Sequence, residues 1–413
     1  MSRRVVVTGF GAVSPCGLDA EATWQSIREG RSGIRSLTAF DASDYASKIA
    51  GECHGFEPER HIAKRDLRSM DRFIQLAVAA SDQAVRMSGI AEDDPVKLDT
   101  GTLIGVGIGG LAYIEAMDKV LIEKGPNRIS PYFIPATISN LAPGQVSMRH
   151  GLKGPSFTHT SACASGAHAI GEAFRGIVHG DMEACVAGGT EAAITPLGLA
   201  GFAAIRALSK RNDEPARASR PWDVDRDGFV IAEGAGLLFL EERERAVRRG
   251  ATIYAELVGY GASADAHHLT QPAPEGEGAQ RAMRRALTDA KLAPSAIDYV
   301  NAHGTSTHQG DLLEIDAMRA VFGGHVSDGL WISSTKSMTG HLLGAAGGLE
   351  AVISVLALRD GIVPGTINLD HPEPSLRGID LVPHESRRRP LRHVLSNSFG
   401  FGGTNGVLVF AKG

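Results

Sequence analysis

The chain has 413 residues, a net charge of −5 and 43% apolar residues. That composition excludes a disordered chain, and the acidic balance argues against a general nucleic-acid binder, which would carry a basic excess. The 50 glycines, about 12% of the chain against a usual ~7%, follow no G-X-Y period. A collagen-like reading therefore fails, and tight turns with close backbone approaches are expected instead.

In chain order, residues 5–8 read as a buried strand running into a Gly9-x-Gly11 turn. The start resembles a twin-arginine export signal, but its apolar run is too short for one. A helix is expected over 22–29. A basic helix follows over 64–87, with Phe73, Ile74, Ala77, Val78 and Val85 at helical spacing. Residues 102–106, 156–161, 183–187 and 234–240 read as strands, the third ending in Gly188-Gly189. The pattern then restarts: 253–258 into Gly259-x-Gly261, 297–300 into Asn301-Ala-His303-Gly304, 331–334 into a small-residue helix, 391–395 into Gly400-x-Gly402-Gly403, and 407–410. Five correspondences in one order predict two fused copies of one α/β motif, over 1–250 and 251–413. No run of ~18 apolar residues is present to span a membrane.

The glycine loops do not make a nucleotide site. Gly105-x-Gly107-x-x-Gly110 fits a dinucleotide fingerprint, but no acid follows at the end of the next strand. The four cysteines, at 16, 53, 163 and 185, have no metal-knuckle or disulfide-framework spacing. Cys163 stands apart. It lies in Thr160-Ser-Ala-Cys163-Ala-Ser-Gly166-Ala-His168, where a buried strand is expected to turn into a helix. Small neighbours permit close approach of a substrate. A helix N-terminus stabilises a thiolate, lowers its pKa and offers N–H groups to an oxyanion. His303 and His341, each at a glycine-flanked turn in the other half, complete a candidate constellation.

These motifs resemble the decarboxylating β-ketoacyl-[acyl-carrier-protein] synthases, the chain-elongating condensing enzymes of type II fatty acid synthesis. The matching segments are 161–168, Ala218-Ser-Arg-Pro-Trp222 with Asp227-Gly-Phe-Val230, 301–307, 335–347 and Asn397-Ser-Phe-Gly-Phe401-Gly-Gly-Thr-Asn405. The resemblance covers essentially the whole chain. It implies the thiolase fold, two pseudo-twofold-related α/β halves in five αβαβα layers. A polyketide condensing enzyme would use the same residues. A degradative thiolase would need a second cysteine near Phe401, and none is there.

By the same resemblance Cys163 is the nucleophile, and His303 and His341 hydrogen-bond the malonyl thioester carbonyl. Lys336 either shapes the field near His341, paired with Glu314, or is structural support. The N–H groups of Cys163 and Phe401 form an oxyanion hole. Thr305 and Thr307 bind the phosphopantetheine arm. Gly107, Ile108, Phe399 and Phe401 border the acyl pocket, against which a partner subunit pushes Phe133 and Ile134, implying a homodimer. Arg65, Arg68 and Arg206 match docking positions for acyl carrier protein. No cofactor is required; a structural sodium or potassium ion at Asn301, Glu350, Ser396 and Asn397 is compatible. Ser165 and His308 depart from the common pattern, where threonine and proline are frequent. A cytoplasmic location is expected.

Overall fold

The structure is a computed structural model that describes residues 3–413; Met1 and Ser2, at the start of the expected first half, lie outside the described residues. The first half supplies β1 (Val5–Val13), β2 (Thr100–Gly105), β3 (Ser156–His159), β4 (Ala184–Glu191) and β5 (Gly234–Glu242). The second supplies β6 (Ala255–Ala264), β7 (Tyr299–Asn301), β8 (Trp331–Ser333), β9 (His393–Gly400) and β10 (Thr404–Lys412). Their order is β8-β7-β9-β10-β6-β1-β5-β4-β2-β3. Outward from the centre, each half runs first, fifth, fourth, second, third, so the sheet is one motif written twice. The halves join where Val5–Val7 of β1 lie antiparallel to Leu257–Ala255 of β6.

Six helices make the remaining layers: α1 (Arg72–Ser88), α2 (Leu141–His150), α3 (Ser165–His179), α4 (Glu277–Ala290), α5 (His308–Phe322) and α6 (Ala346–Asp360). On one outside, α1 covers β1 and β5 and packs on α2; on the other, α4 covers β6 and β10 and packs on α5. Between the two halves of the sheet lie α3 and α6, each touching strands of both. Residues 346–358 of α6 are all buried, as a helix apolar on every side should be. The result is the five-layered αβαβα arrangement of the thiolase fold.

Three local expectations change. The basic helix starts at Arg72 and not at Lys64, because Met70 and Asp71 are extended; residues 64–69 form turns, so Arg65 and Arg68 precede the helix. The Gly9-x-Gly11 and Gly259-x-Gly261 segments are not turns: β1 and β6 run straight through them. Their glycines let helices press on the strands. A Cβ at Gly11 would meet Gln83 Cβ on α1 at 2.7 Å, and one at Gly261 would meet Ala286 N on α4 at 2.5 Å. Likewise β4 continues past Gly188-Gly189 to Glu191.

Candidate active site

Cys163 sits in a single turn, Ala162–Ala164, immediately before α3. Ala162 carries the left-handed backbone that the sharp entry needs, φ 49°. Ser165 fixes the turn: its Oγ accepts from Ser161 N at 2.9 Å and donates to Ala162 O at 2.7 Å. The strand leading in, β3, is a partly exposed sheet edge and not the buried strand expected, because among the described residues no further strand lies beyond it. His168, one turn into α3, is satisfied structurally, between Ser161 Oγ at 2.6 Å and Asn405 O at 3.1 Å.

The expected low thiol pKa is also corrected. Burial pushes the Cys163 thiol up to about 12; the Lys336 charge and the Phe401 backbone N–H oppose this without overcoming it. The resting nucleophile is therefore a protonated thiol. Iodoacetamide labelling of Cys163, followed by mass, should accelerate about tenfold per pH unit from neutral into the alkaline range, since only the thiolate reacts. A rate that levels off near pH 8 would contradict this. Cys16, Cys53 and Cys185 are free, and Cys185 is wholly buried in β4.

His303 follows β7, and His341 follows the short helix Lys336–Thr339. Their ring centroids are 5.4 Å apart at 86°. Phe229 stands edge-on to His341 at 5.3 Å, and Phe399 lies 5.7 Å from His303. Both imidazoles are pushed well below the usual histidine range, first by burial and then by the Lys336 charge, so both are neutral. Their backbones are pinned: His303 N and Gly304 N donate to Glu314 at 2.9 and 2.8 Å, and His341 N donates to Val230 O at 2.8 Å.

Lys336 is buried, and its ammonium donates to Glu350 of α6, not to Glu314 as expected. Glu314 is already occupied by those two N–H groups and by Asn397 Nδ2 at 3.0 Å. Burial raises the Glu350 carboxyl and the Lys336 charge restrains it.

Gly400 closes the site from β9. A Cβ there would meet Ser161 O at 2.8 Å and Cys163 N at 3.1 Å, so only glycine admits this approach. It brings the Phe401 N–H to the Cys163 sulfur. A cavity of about 330 Å³ opens over Cys163, His303 and His341, with Phe399 and Phe401 in its wall. Thr305 and Thr307 line it too, their hydroxyls 3.1 Å apart. His308 starts α5, and its carbonyl accepts from Arg226 at 2.6 Å, which fixes that turn.

The other expected residues are placed elsewhere. Gly107 packs against Glu191 and Gly344, Ile108 and Ile134 are exposed, and Phe133 packs beside Tyr113 at 6.4 Å. None of the four lines the cavity of the single chain. Arg206 stands between the lining residues Ile205 and Ala207, whereas Arg65 and Arg68 lie around the turn Leu67–Ser69, outside the lining. Sequence reasoning missed Glu191, which ends β4 wholly buried and accepts from the N–H groups of Gly107, Ile108, Gly109 and Gly344. Burial lifts its carboxyl to about 7. Its only sequence signal was an acid after the Gly188-Gly189 pair.

Two family models match: Beta-ketoacyl synthase, N-terminal domain, over residues 2–246, and Beta-ketoacyl synthase, C-terminal domain, over 254–370. A 3-oxoacyl-[acyl-carrier-protein] synthase 2 of Vibrio harveyi is 52% identical over 410 residues, covering 99% of each chain. One from Staphylococcus aureus (strain N315) is 48% identical over 411 residues, covering 100% of this chain and 99% of the relative. Among solved structures, a beta-ketoacyl synthase from Burkholderia phymatum STM815 superposes with a TM-score of 0.92 at 36% identity, each chain covered completely. So does a chain from a type II PKS acyl-carrier protein in complex with its ketosynthase, at a TM-score of 0.92 and 33% identity.

Proposed function

Since the chain belongs to the β-ketoacyl synthase family, we propose that it is a 3-oxoacyl-[acyl-carrier-protein] synthase that elongates fatty acyl chains. The observation that carries this is the meeting of Cys163 with two neutral histidines in one cavity. Whole-chain identity of 48–52% to synthases of that name favours fatty acid elongation over polyketide assembly, since the ketosynthase of the type II PKS complex is 33% identical.

The chemistry follows in two stages. The Cys163 thiol attacks the carbonyl of an acyl-carrier thioester, whose oxygen takes negative charge against the Cys163 and Phe401 N–H groups. Collapse breaks the carrier C–S bond, and the departing thiolate takes the cysteine proton, with a neutral imidazole able to relay it. Malonyl carrier then enters beside Thr305 and Thr307. Loss of CO2 leaves the C–C electron pair as an enolate, held by an N–H from each of His303 and His341. A neutral imidazole keeps one N–H to donate, and it leaves the enolate unprotonated. The carbanion attacks the acyl-cysteine and expels the Cys163 thiolate, which regains a proton from solvent. The products are 3-oxoacyl carrier and CO2.

Lys336 acts through the field it places on all three groups, as a positioning residue. Buried Asn301 Oδ1, Ser396 Oγ, Asn397 Oδ1 and Glu350 Oε2 have no hydrogen-bond partner among the described residues. Hard oxygen donors of this kind suit a sodium or potassium ion, which would supply charge compensation there.

The reading includes a homodimer. Among the described residues β3 ends the sheet with a free edge; Phe157 on it is 57% exposed, and α2, which packs against β3, carries exposed Met148. Arg206 at the cavity mouth, with Arg65 and Arg68, would receive an acidic carrier protein. The division near residue 250 into a cysteine half and a two-histidine half belongs to the same reading. No helix among the described residues is long and apolar enough to cross a membrane; the location we propose is the cytoplasm.

Incubation with acyl-[acyl-carrier protein] should add one acyl mass, mapped to Cys163 and lost in Cys163→Ala. An adduct that survives Cys163→Ala, or none in the wild type, would refute the assignment.

A further inference from the structure

We propose that Glu191 is a positioning residue of this site: its carboxylate fastens the turn after β2 to the turn that opens α6, and so fixes the wall facing Cys163. The inference rests on the condensing reaction proposed above.

Glu191 Oε2 accepts from Gly107 N at 2.8 Å and from Gly344 N at 3.2 Å, Oε1 accepts from Gly109 N at 3.1 Å, and Ile108 N lies 3.1 and 3.2 Å from the two oxygens. These donors come from both halves of the chain. Gly344 is the pseudo-twofold counterpart of Cys163. Each is the middle residue of a single turn, Ala162–Ala164 or Leu343–Ala345, directly ahead of a central helix. The residue before each has the same left-handed backbone, φ 49° at Ala162 and 50° at Leu343. One copy of the turn therefore presents the nucleophile, and the other presents a bare N–H to a carboxylate.

The fit has little slack. A Cβ on Gly344 would meet Glu191 Oε2 at 2.8 Å, and one on Gly107 would strike the same oxygen and meet Gly344 N at 3.3 Å. Leu343, next to Gly344, lines the cavity together with Cys163. A shift of the carboxylate is thus a shift of the cavity wall. Four N–H donors converge on two acceptor oxygens. A glutamine offers one oxygen and turns an NH2 donor against the remaining N–H groups, which buries unmatched donors. The Glu191 charge also reaches Cys163, where it acts against Lys336.

The test uses the full-length protein, with acyl-[acyl-carrier protein] and iodoacetamide as probes. In Glu191→Gln, Cys163 acylation at saturating carrier should fall about 10- to 100-fold. KM should stay within about threefold, because the mouth threonines are untouched. Alkylation of Cys163 at a fixed alkaline pH should become roughly twofold or more faster, because the opposing charge is gone. A purely structural role would change access to Cys163 by the same factor at every pH, whereas loss of the charge speeds alkylation only above about pH 7, where Glu191 is ionised. Gly107→Ala disturbs the clamp with the charge kept, so it should slow acylation and leave alkylation at the wild-type rate. An unchanged saturating rate in Glu191→Gln, or slower alkylation, overturns the proposal. If Glu191→Gln does not fold, Gly107→Ala decides: an unchanged acylation rate overturns it and a reduced one supports it. Failure of the wild type to acylate would count against the reaction, while the alkylation comparison would still read the clamp.

Discussion

Replacing His303 or His341 by alanine lowers the rate of malonyl-thioester decarboxylation by about 10²–10³-fold, the usual cost of removing one donor from a developing oxyanion. The acyl adduct on Cys163 should still form, because the Cys163 and Phe401 backbone donors serve that step. The two stages can therefore be separated by measuring CO2 release and acyl-enzyme mass on the same variants. The pH dependence has a definite sign. Burial and the Lys336 charge hold both imidazoles well below the ordinary value of 6.5, so both remain neutral as pH falls through that value. Decarboxylation in the wild type should persist below pH 6, where an exposed histidine would already be protonated. A loss centred at pH 6.5 would show that the histidines are not shielded in this way.

Lys336→Ala is expected to be the most damaging single change to stability. The side chains of Lys336 and Glu350 are 2% and 4% exposed, and removal of one partner of a buried pair costs about 3–5 kcal/mol. Without the ammonium, the Glu350 carboxyl rises further, so the folded state holds a proton that the unfolded chain releases near pH 4.5. Stability of the variant should therefore fall as pH rises from 5 to 8, read as a falling urea midpoint. Adding Glu350→Gln should remove that slope. Activity should not return with it, since the Cys163 thiol rises once the Lys336 charge is gone and the histidines lose the charge that helps keep them neutral. A single variant as stable as wild type at pH 8 would show that the pair carries no net electrostatic weight.

Much of this was legible from residue order. The five strand-and-glycine correspondences anticipated the doubled sheet, and the segments around Cys163, His303, His341 and Phe401 do converge on one cavity. What could not be read were the long-range pairings. Lys336 has two buried acids within reach, and only the folded helices decide that Glu350 of α6 takes the ammonium while Glu314 of α5 takes backbone N–H groups. Glu191 was invisible for the same reason, since its four donors lie 82 to 153 positions away. Gly9, Gly11, Gly259 and Gly261 were read as turns because glycine alone does not distinguish a bend from a strand pressed by a helix. The thiol was misread because a helix N-terminus is a local signal, whereas the burial that outweighs it comes from residues distant along the chain, among them Ile194, Phe229, Ile231 and Leu343.

The middle layer constrains how the molecule can move. Because α3 and α6 are each packed against strands of both halves of the sheet, the halves have no cleft among the described residues to open along and cannot swing apart as two lobes. Parting them would strip the shared helices and melt the core. Traffic to Cys163 must then pass through the surface segments at the cavity mouth, where Gly402 N reaches Leu269 O at 2.7 Å. Exchange of substrates can in consequence be fast or slow without any change in how firmly the core is held.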